Sequence, residues 1–144
     1  MYWTPSLGRP RLEVIRWNGR RSLTGKPRTM VIALVTVTLV NVLFNAIESV
    51  ANFMKADWVK RNSHAVGVPD SQLPFLGFVK GAAAVGLAVG LFWRPLGVAA
   101  GVGLVVFFVL ATALHLRNRV FHNFYGPLVF LGLSIAVLWL MIAA

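Results

Sequence analysis

The sequence predicts an all-α membrane protein, an up-down bundle of four transmembrane helices with both termini on the cytoplasmic side. Three observations predict this fold. Of 144 residues, 58% are hydrophobic, against roughly 45–50% in an ordinary soluble domain, and the mean hydropathy is +0.74. The apolar residues gather into four runs of ~20, the number that crosses ~30 Å of hydrocarbon at 1.5 Å per residue. Within those runs the hydrophobicity does not alternate with period two, as β-barrel spans would require.

Residues 1–29 form a basic tail. It carries seven of the 14 Lys and Arg residues, Arg9, Arg11, Arg16, Arg20, Arg21, Lys26 and Arg28, and lacks the short apolar core and small-residue cleavage pattern of a secretory signal. The tail is expected to be flexible or to lie on the membrane surface. An amphipathic turn over "RLEVIRW" would put Leu12, Ile15 and Trp17 toward lipid.

A membrane domain is expected over residues 30–144. Its first span is read as 30–54 and its second as 73–93, after a long 55–72 connection in which Gly67 to Asp70 turn the chain and Ser71 is placed to cap the next helix. The third, 96–116, follows so tight a turn at "FWRPLG" that the two helices must be antiparallel neighbours. The fourth, 124–143, follows another short connection and closes the bundle. Trp58, Trp93 and Tyr125 fall near the expected boundaries, where aromatic side chains sit at the headgroup level. Glycines at four-residue spacing (Gly77 and Gly81, Gly86 and Gly90, Gly97 and Gly101) let helix backbones approach closely where lipid gives no hydrophobic drive to associate.

Orientation follows from the basic residues. The tail and Arg94 give eight on one side, against Lys55, Lys60, Arg61, Arg117 and Arg119 on the other, which predicts N-in, C-in. A start at Met30 would remove the tail, leave Arg94 against those five, and badly weaken the N-in prediction. In a soluble chain the net charge of +10 would point to nucleic acid. Here membrane topology accounts for it, and no basic surface interleaved with aromatics remains once the spans are set aside. The 0 cysteines exclude disulfides, thiolate metal sites and CxxC redox chemistry.

The first span contains "NVLFNAIESVANFMK". Asn41, Asn45, Glu48 and Asn52 are separated by four, three and four residues, so at 100° per residue they point within ~60° of one another. Such a stripe is costly against lipid and should face the bundle interior. A carboxylate there needs a cation, a proton or water. Lys80 is the only basic residue inside any span, and antiparallel packing of spans one and two puts Lys80 and Glu48 at the same depth, ~10 Å below the outer surface. His115, with Thr112 one turn earlier, approaches the same level from span three and is suited either to a structural hydrogen bond or to a proton or ligand role. His64 and His122 belong to outer loops and make no recognisable metal site. For the stripe as a whole, three readings stand: interhelical glue, a polar pocket between spans one, two and three, and ion conduction, the last opposed because one stripe on one helix does not line a pore. The candidate pocket residues are Asn45, Glu48, Asn52, Lys80, Thr112 and His115.

"FMK" ending at Lys55, "VGVP" from Val66 to Pro69, "LGFVKGAAAVGL" around Lys80 and "ATALHL" around His115 follow one another in an order and spacing that resembles the DoxX-like family of small four-helix membrane proteins. The resemblance covers residues 30–143 and leaves the tail unmatched. It implies a multi-pass protein of the cell membrane, and it marks Lys80 and His115 as matching recurrent polar positions of the family. Some relatives of that type are associated with quinone-linked oxidation of thiosulfate or with membrane redox complexes. Without cysteine, sulfur or electron chemistry here would need a cofactor or a partner subunit. The leading expectation is an accessory or structural subunit with a polar pocket that takes a quinone, a lipid or a partner's helix. The alternatives are a quinone-linked oxidoreductase component and a small-molecule or lipid transporter module. Expected partners are the lipid bilayer and another membrane subunit or a second copy, with no nucleic acid.

Overall fold

A computed structural model describes residues 27–144. Six of the seven tail charges and the amphipathic turn over Leu12, Ile15 and Trp17 lie outside the described residues. The described chain forms α1 (Arg28–Phe53), α2 (Asp57–Ala65), a 310 turn (Asp70–Gln72), α3 (Leu73–Gly90), α4 (Arg94–Arg117) and α5 (Tyr125–Ala143). Of these, α1, α4, α5 and the stretch formed by the 310 turn with α3 are long and apolar enough to cross a membrane, and the described residues contain no strand. α1 packs on α3 and α5, and α4 packs on the same two. The chain runs up and down through four antiparallel spans, with α2 across one end.

Local chemistry moves two of the expected boundaries. The second helix stops at Gly90, not Trp93, so the turn is Leu91 to Trp93 and α4 already begins at Arg94. Pro95 occupies the first turn of α4, where its missing N–H has no intrahelical acceptor to lose. Pro74 does the same for α3. Ser71 is not a cap: it lies within the 310 turn, and α3 follows Gln72 without a side-chain capping bond. The 55–72 connection is also more ordered than a loop, because it contains the nine residues of α2.

Three elements end at the α2 end of the molecule on residues with positive φ: Lys55 (50°), Gly67 (78°) and Arg119 (55°). Each closes a pair of reverse hydrogen bonds that satisfies the last carbonyls of its helix. After α4, Val120 N–H reaches His115 O at 2.9 Å and Arg119 N–H reaches Leu116 O at 3.2 Å. After α2, Val68 N–H reaches Ser63 O at 2.8 Å and Gly67 N–H reaches His64 O at 3.0 Å.

The interior divides into an apolar and a polar part. Leu87, Leu104, Phe108, Val137 and Met141 from α3, α4 and α5 make the apolar cluster. Small residues set how closely the helices approach, and α3 changes partner along its length. Near the α2 end it lies against α1, where a Cβ on Gly77 would fall 3.0 Å from Ser49 O and one on Gly81 2.8 Å from Ser49 Oγ. At the far end it lies against α4, where a Cβ on Gly90 would fall 2.2 Å from Gly97 Cα and one on Gly86 2.8 Å from Ala100 Cβ. These are backbone approaches that only small residues permit.

Candidate functional site

The buried residues of α1 are Thr38, Asn41, Asn45, Ser49 and Asn52, all polar. An amphipathic helix in water buries its apolar face; this one exposes Ile32, Leu39, Leu43, Ile47 and Val50, as a lipid-facing helix does, and turns its polar stripe inward. Each asparagine first satisfies its amide N–H on its own helix. Asn41 Nδ2 donates to Val37 O at 2.9 Å, Asn45 Nδ2 to Asn41 O at 2.9 Å and Asn52 Nδ2 to Glu48 O at 2.6 Å. Two bonds cross to other helices, Asn41 Nδ2 to Leu133 O at 3.3 Å on α5 and Ser49 Oγ to Gly77 O at 2.7 Å on α3. Three acceptors in this stripe, Thr38 Oγ1, Asn41 Oδ1 and Asn45 Oδ1, are buried without a protein donor. Part of the stripe therefore binds helices together, and part of it carries an uncompensated desolvation cost.

Lys80 and Glu48 meet as a hydrogen-bonded ion pair between α3 and α1. Their side chains keep only 13% and 16% of their exposure. The ammonium also faces two aromatic rings of α4, with Nζ 5.3 Å from the Phe107 centroid and 6.0 Å from that of Phe108, a cation–π arrangement that offsets part of its desolvation. His115 is 8% exposed, and its Nδ1 lies 2.8 Å from Ala111 O. A carbonyl only accepts, so Nδ1 carries the proton, and Nε2 is the ring nitrogen left for another group.

These side chains share one cavity of about 540 Å³, within the 300–1,000 Å³ usual for small-molecule sites. Glu48, Asn52, Lys80 and His115 line it, together with Phe75, Leu76, Phe107, Phe108, Leu110 and Phe130. Phe108 and Phe130 stack at 5.3 Å between centroids and fix the wall between α4 and α5. The structure does not bring Asn45 or Thr112 to this wall. Asn45 lies deeper in the bundle, and Thr112 Oγ1 donates to Phe108 O on its own helix at 2.7 Å.

Sequence reasoning passed over the element that covers the cavity. α2 contributes Trp58, Val59, Asn62 and Ser63 to the lining, so Trp58, expected as an interfacial anchor, also forms part of the wall. α2 is tied down at two points: Asn123 Nδ2 donates to Asn62 Oδ1 at 2.8 Å, and Asn118 Nδ2 donates to Val66 O at 3.1 Å. In its last turn, His64 Nε2 lies 2.7 Å from Asp70 Oδ1 in an exposed pair. Val59 is the single buried residue of α2, and one buried side chain in nine residues leaves no periodic pattern to read in the sequence. Among the described residues no group of His, Asp and Glu is placed to hold a metal ion.

The model of the DoxX-like family matches residues 36–137, well over half of the chain, and the matched stretch includes every residue that lines the cavity. No curated protein and no solved structure matches.

Proposed function

We propose that this chain, a multi-pass membrane protein that belongs to the DoxX-like family, is an accessory subunit of a cell-membrane complex and binds a neutral, carbonyl-bearing apolar molecule of the quinone type in the cavity beneath α2. One observation carries this reading. The cavity has walls of phenylalanine and leucine that converge on a short polar end made by the Glu48–Lys80 pair and His115. Apolar walls with a few placed polar groups are the usual form of a small-molecule site. The polar end selects the ligand's charge. Glu48 already neutralises Lys80, so an anionic or cationic head would be left without a counter-charge in a low-dielectric site. A neutral carbonyl can accept a hydrogen bond from the ammonium without disturbing that balance. Lacking cysteine, the chain has no thiol to carry electrons itself, which supports a binding role within a larger assembly.

One further observation favours the alternative, a quinone-linked oxidoreductase component. His115 lines the cavity with Nδ1 held by Ala111 O, which leaves Nε2 able to exchange a proton with a bound oxygen. The excess of basic residues in the tail supports an orientation with the α2 end, and so the cavity, in the outer half of the membrane.

The test uses the full chain in nanodiscs. Decylubiquinone should quench Trp58 fluorescence saturably, and Lys80→Met and His115→Gln should each weaken the binding about tenfold or more. Quenching that rises linearly without saturation, identical in both variants, would overturn the ligand reading. Recovery of a stoichiometric partner from mild detergent tests the accessory role. An isolated chain that turns over added quinone would replace that role with the oxidoreductase alternative.

A further inference from the structure

We propose that the cavity opens sideways into the bilayer between α3 and α4, and that its ligand carries a single apolar tail lying in this opening while the head reaches Lys80 and His115. This inference rests on the ligand-binding reading above and specifies the route and shape of the ligand.

Three independent observations place the opening. The first is the change of partner along α3. Its glycines hold it on α4 at the end away from α2, through Gly90 on Gly97 and Gly86 on Ala100. At the α2 end they hold it on α1 instead, through Gly77 and Gly81 on Ser49. A straight helix pinned to one neighbour at one end and to a different neighbour at the other must diverge from each at the opposite end. α3 and α4 therefore form a narrow V whose wide end is at the level of the cavity.

The second is the exposure of the cavity's own wall. Phe75 on α3 and Leu110 on α4 line the cavity, yet they are 66% and 60% exposed on the outer surface of the bundle. A large apolar residue that faces the cavity and the hydrocarbon at once marks the rim of a lateral mouth. On the α4–α5 side the same level is closed by the stacked rings of Phe108 and Phe130. On the α1–α3 side it is closed by Ser49 bonded to Gly77 O and by the Glu48–Lys80 pair.

The third is the covering of the aqueous end. α2 lies over the cavity and is fixed by Asn62 to Asn123 and by Val66 to Asn118. A water-soluble ligand entering from that end would have to displace α2, whereas a ligand dissolved in lipid meets only Phe75 and Leu110. Such an opening suits a molecule that partitions into the membrane, whose tail gains no separate desolvation by leaving lipid and is best left in it.

The test compares two probes sharing one head, decylubiquinone and the tailless dimethoxy-methyl-benzoquinone, in nanodiscs of one lipid composition so that membrane partitioning cancels between variants. Phe75→Trp with Leu110→Trp narrows the mouth and should lower the ratio of tailed to tailless affinity by at least about tenfold, the size of effect produced by misfitting one or two methylenes. Phe75→Ala with Leu110→Ala widens it and should speed release of the tailed probe relative to the tailless one, which keeps the proposal testable if the tryptophans disturb folding. Phe44→Trp, on the α1–α5 face, should leave the ratio unchanged. A ratio unmoved by both Phe75/Leu110 pairs, or moved by Phe44→Trp instead, would overturn the lateral mouth while leaving the binding site in place. Failure of the unmodified protein to bind either probe would overturn the ligand reading itself, and this inference with it.

Discussion

The contact that joins packing to the proposed site is the Glu48–Lys80 pair, and its strength can be bounded. Lys80→Met leaves a carboxylate at 16% exposure without its one ion-pair partner among the described residues. Removing one partner of a buried ion pair costs about 3–5 kcal/mol, and the low end, about 3 kcal/mol, applies because Glu48 retains contact with the cavity. Glu48→Gln is milder. The ammonium keeps the faces of Phe107 and Phe108 at 5.3 and 6.0 Å, each contributing roughly 0.5–2 kcal/mol, so about 1.5 kcal/mol is expected. The double variant removes both charges and should cost about 2 kcal/mol, short of the summed single losses by about 2–3 kcal/mol. Reversible unfolding in mixed micelles by titration with dodecyl sulfate, followed by circular dichroism, measures all four corners of the cycle. Losses that add to within about 0.5 kcal/mol would refute direct coupling, and with it the argument that Glu48 neutralises the polar end of the cavity.

The remaining predictions address packing, the buried stripe and α2. Gly90→Ala should destabilise by about 3 kcal/mol, because its Cβ would fall 2.2 Å from Gly97 Cα and only a backbone shift can relieve the clash. Gly103→Ala, with nothing within 4 Å, should cause no loss and can gain up to about 1 kcal/mol through helix propensity; equal effects in the same unfolding assay would contradict the close approach of α3 and α4. Thr38→Val removes a hydroxyl that is 0% exposed and has no protein partner, so it should stabilise by about 1 kcal/mol; a loss of that size would show that the hydroxyl makes a hydrogen bond the protein atoms do not supply. Asn62→Ala removes the 2.8 Å bond to Asn123 and should speed hydrogen exchange in residues 57–66 about fivefold with the four spans unchanged; an unaltered exchange rate would mean that this bond does not hold α2.

The spans and the inward stripe were legible because each depends on local regularities, a run length matched to the bilayer and a helical period of 3.6. The Glu48–Lys80 pairing was legible for a further reason: a single cation and a single carboxylate at matched depth leave little choice in a medium that penalises isolated charge. Other features depended on information the sequence does not carry locally. Phe107, Phe108 and Phe130 line the cavity, whereas Phe78 and Phe92, the same residue type among similarly apolar neighbours, face outward at 66% and 93% exposure, and only tertiary packing separates them. Asn45 shares the stripe with cavity residues but lies farther from the α2 end, and Thr112 shares their level but donates to Phe108 O of its own helix, so neither reaches the wall. α2 was missed because nine residues with one buried side chain give no periodic signal. The start of α4 at Arg94 could have been read from Pro95, since proline fits the first turn of a helix better than a connecting turn.

α3 shows why a chain this short can both pack and hold a cavity. In lipid no hydrophobic drive closes gaps between helices, so the shape of the bundle follows from where small residues allow contact and where polar residues require it. Gly86 and Gly90 on α4, and Gly77 and Gly81 on α1, fix α3 at two points on two different neighbours. Its divergence from α4 at the α2 end is then a consequence of packing. Lys80 lies between Gly77 and Gly81, within the contact with α1, and turns toward Glu48 on the helix that α3 is leaning against. The ion pair therefore reinforces the lean that keeps the cavity open on the opposite side. Stability and cavity size are thus coupled through one helix: Gly77→Ala, whose Cβ would meet Ser49 O at 3.0 Å, should push α3 away from α1 and toward α4. It should weaken decylubiquinone binding along with unfolding stability, whereas Gly101→Ala, whose Cβ meets Leu138 of α5 at 3.3 Å, should lower stability alone. Parallel losses of binding in both variants would place the cavity under control of overall stability and not of the position of α3.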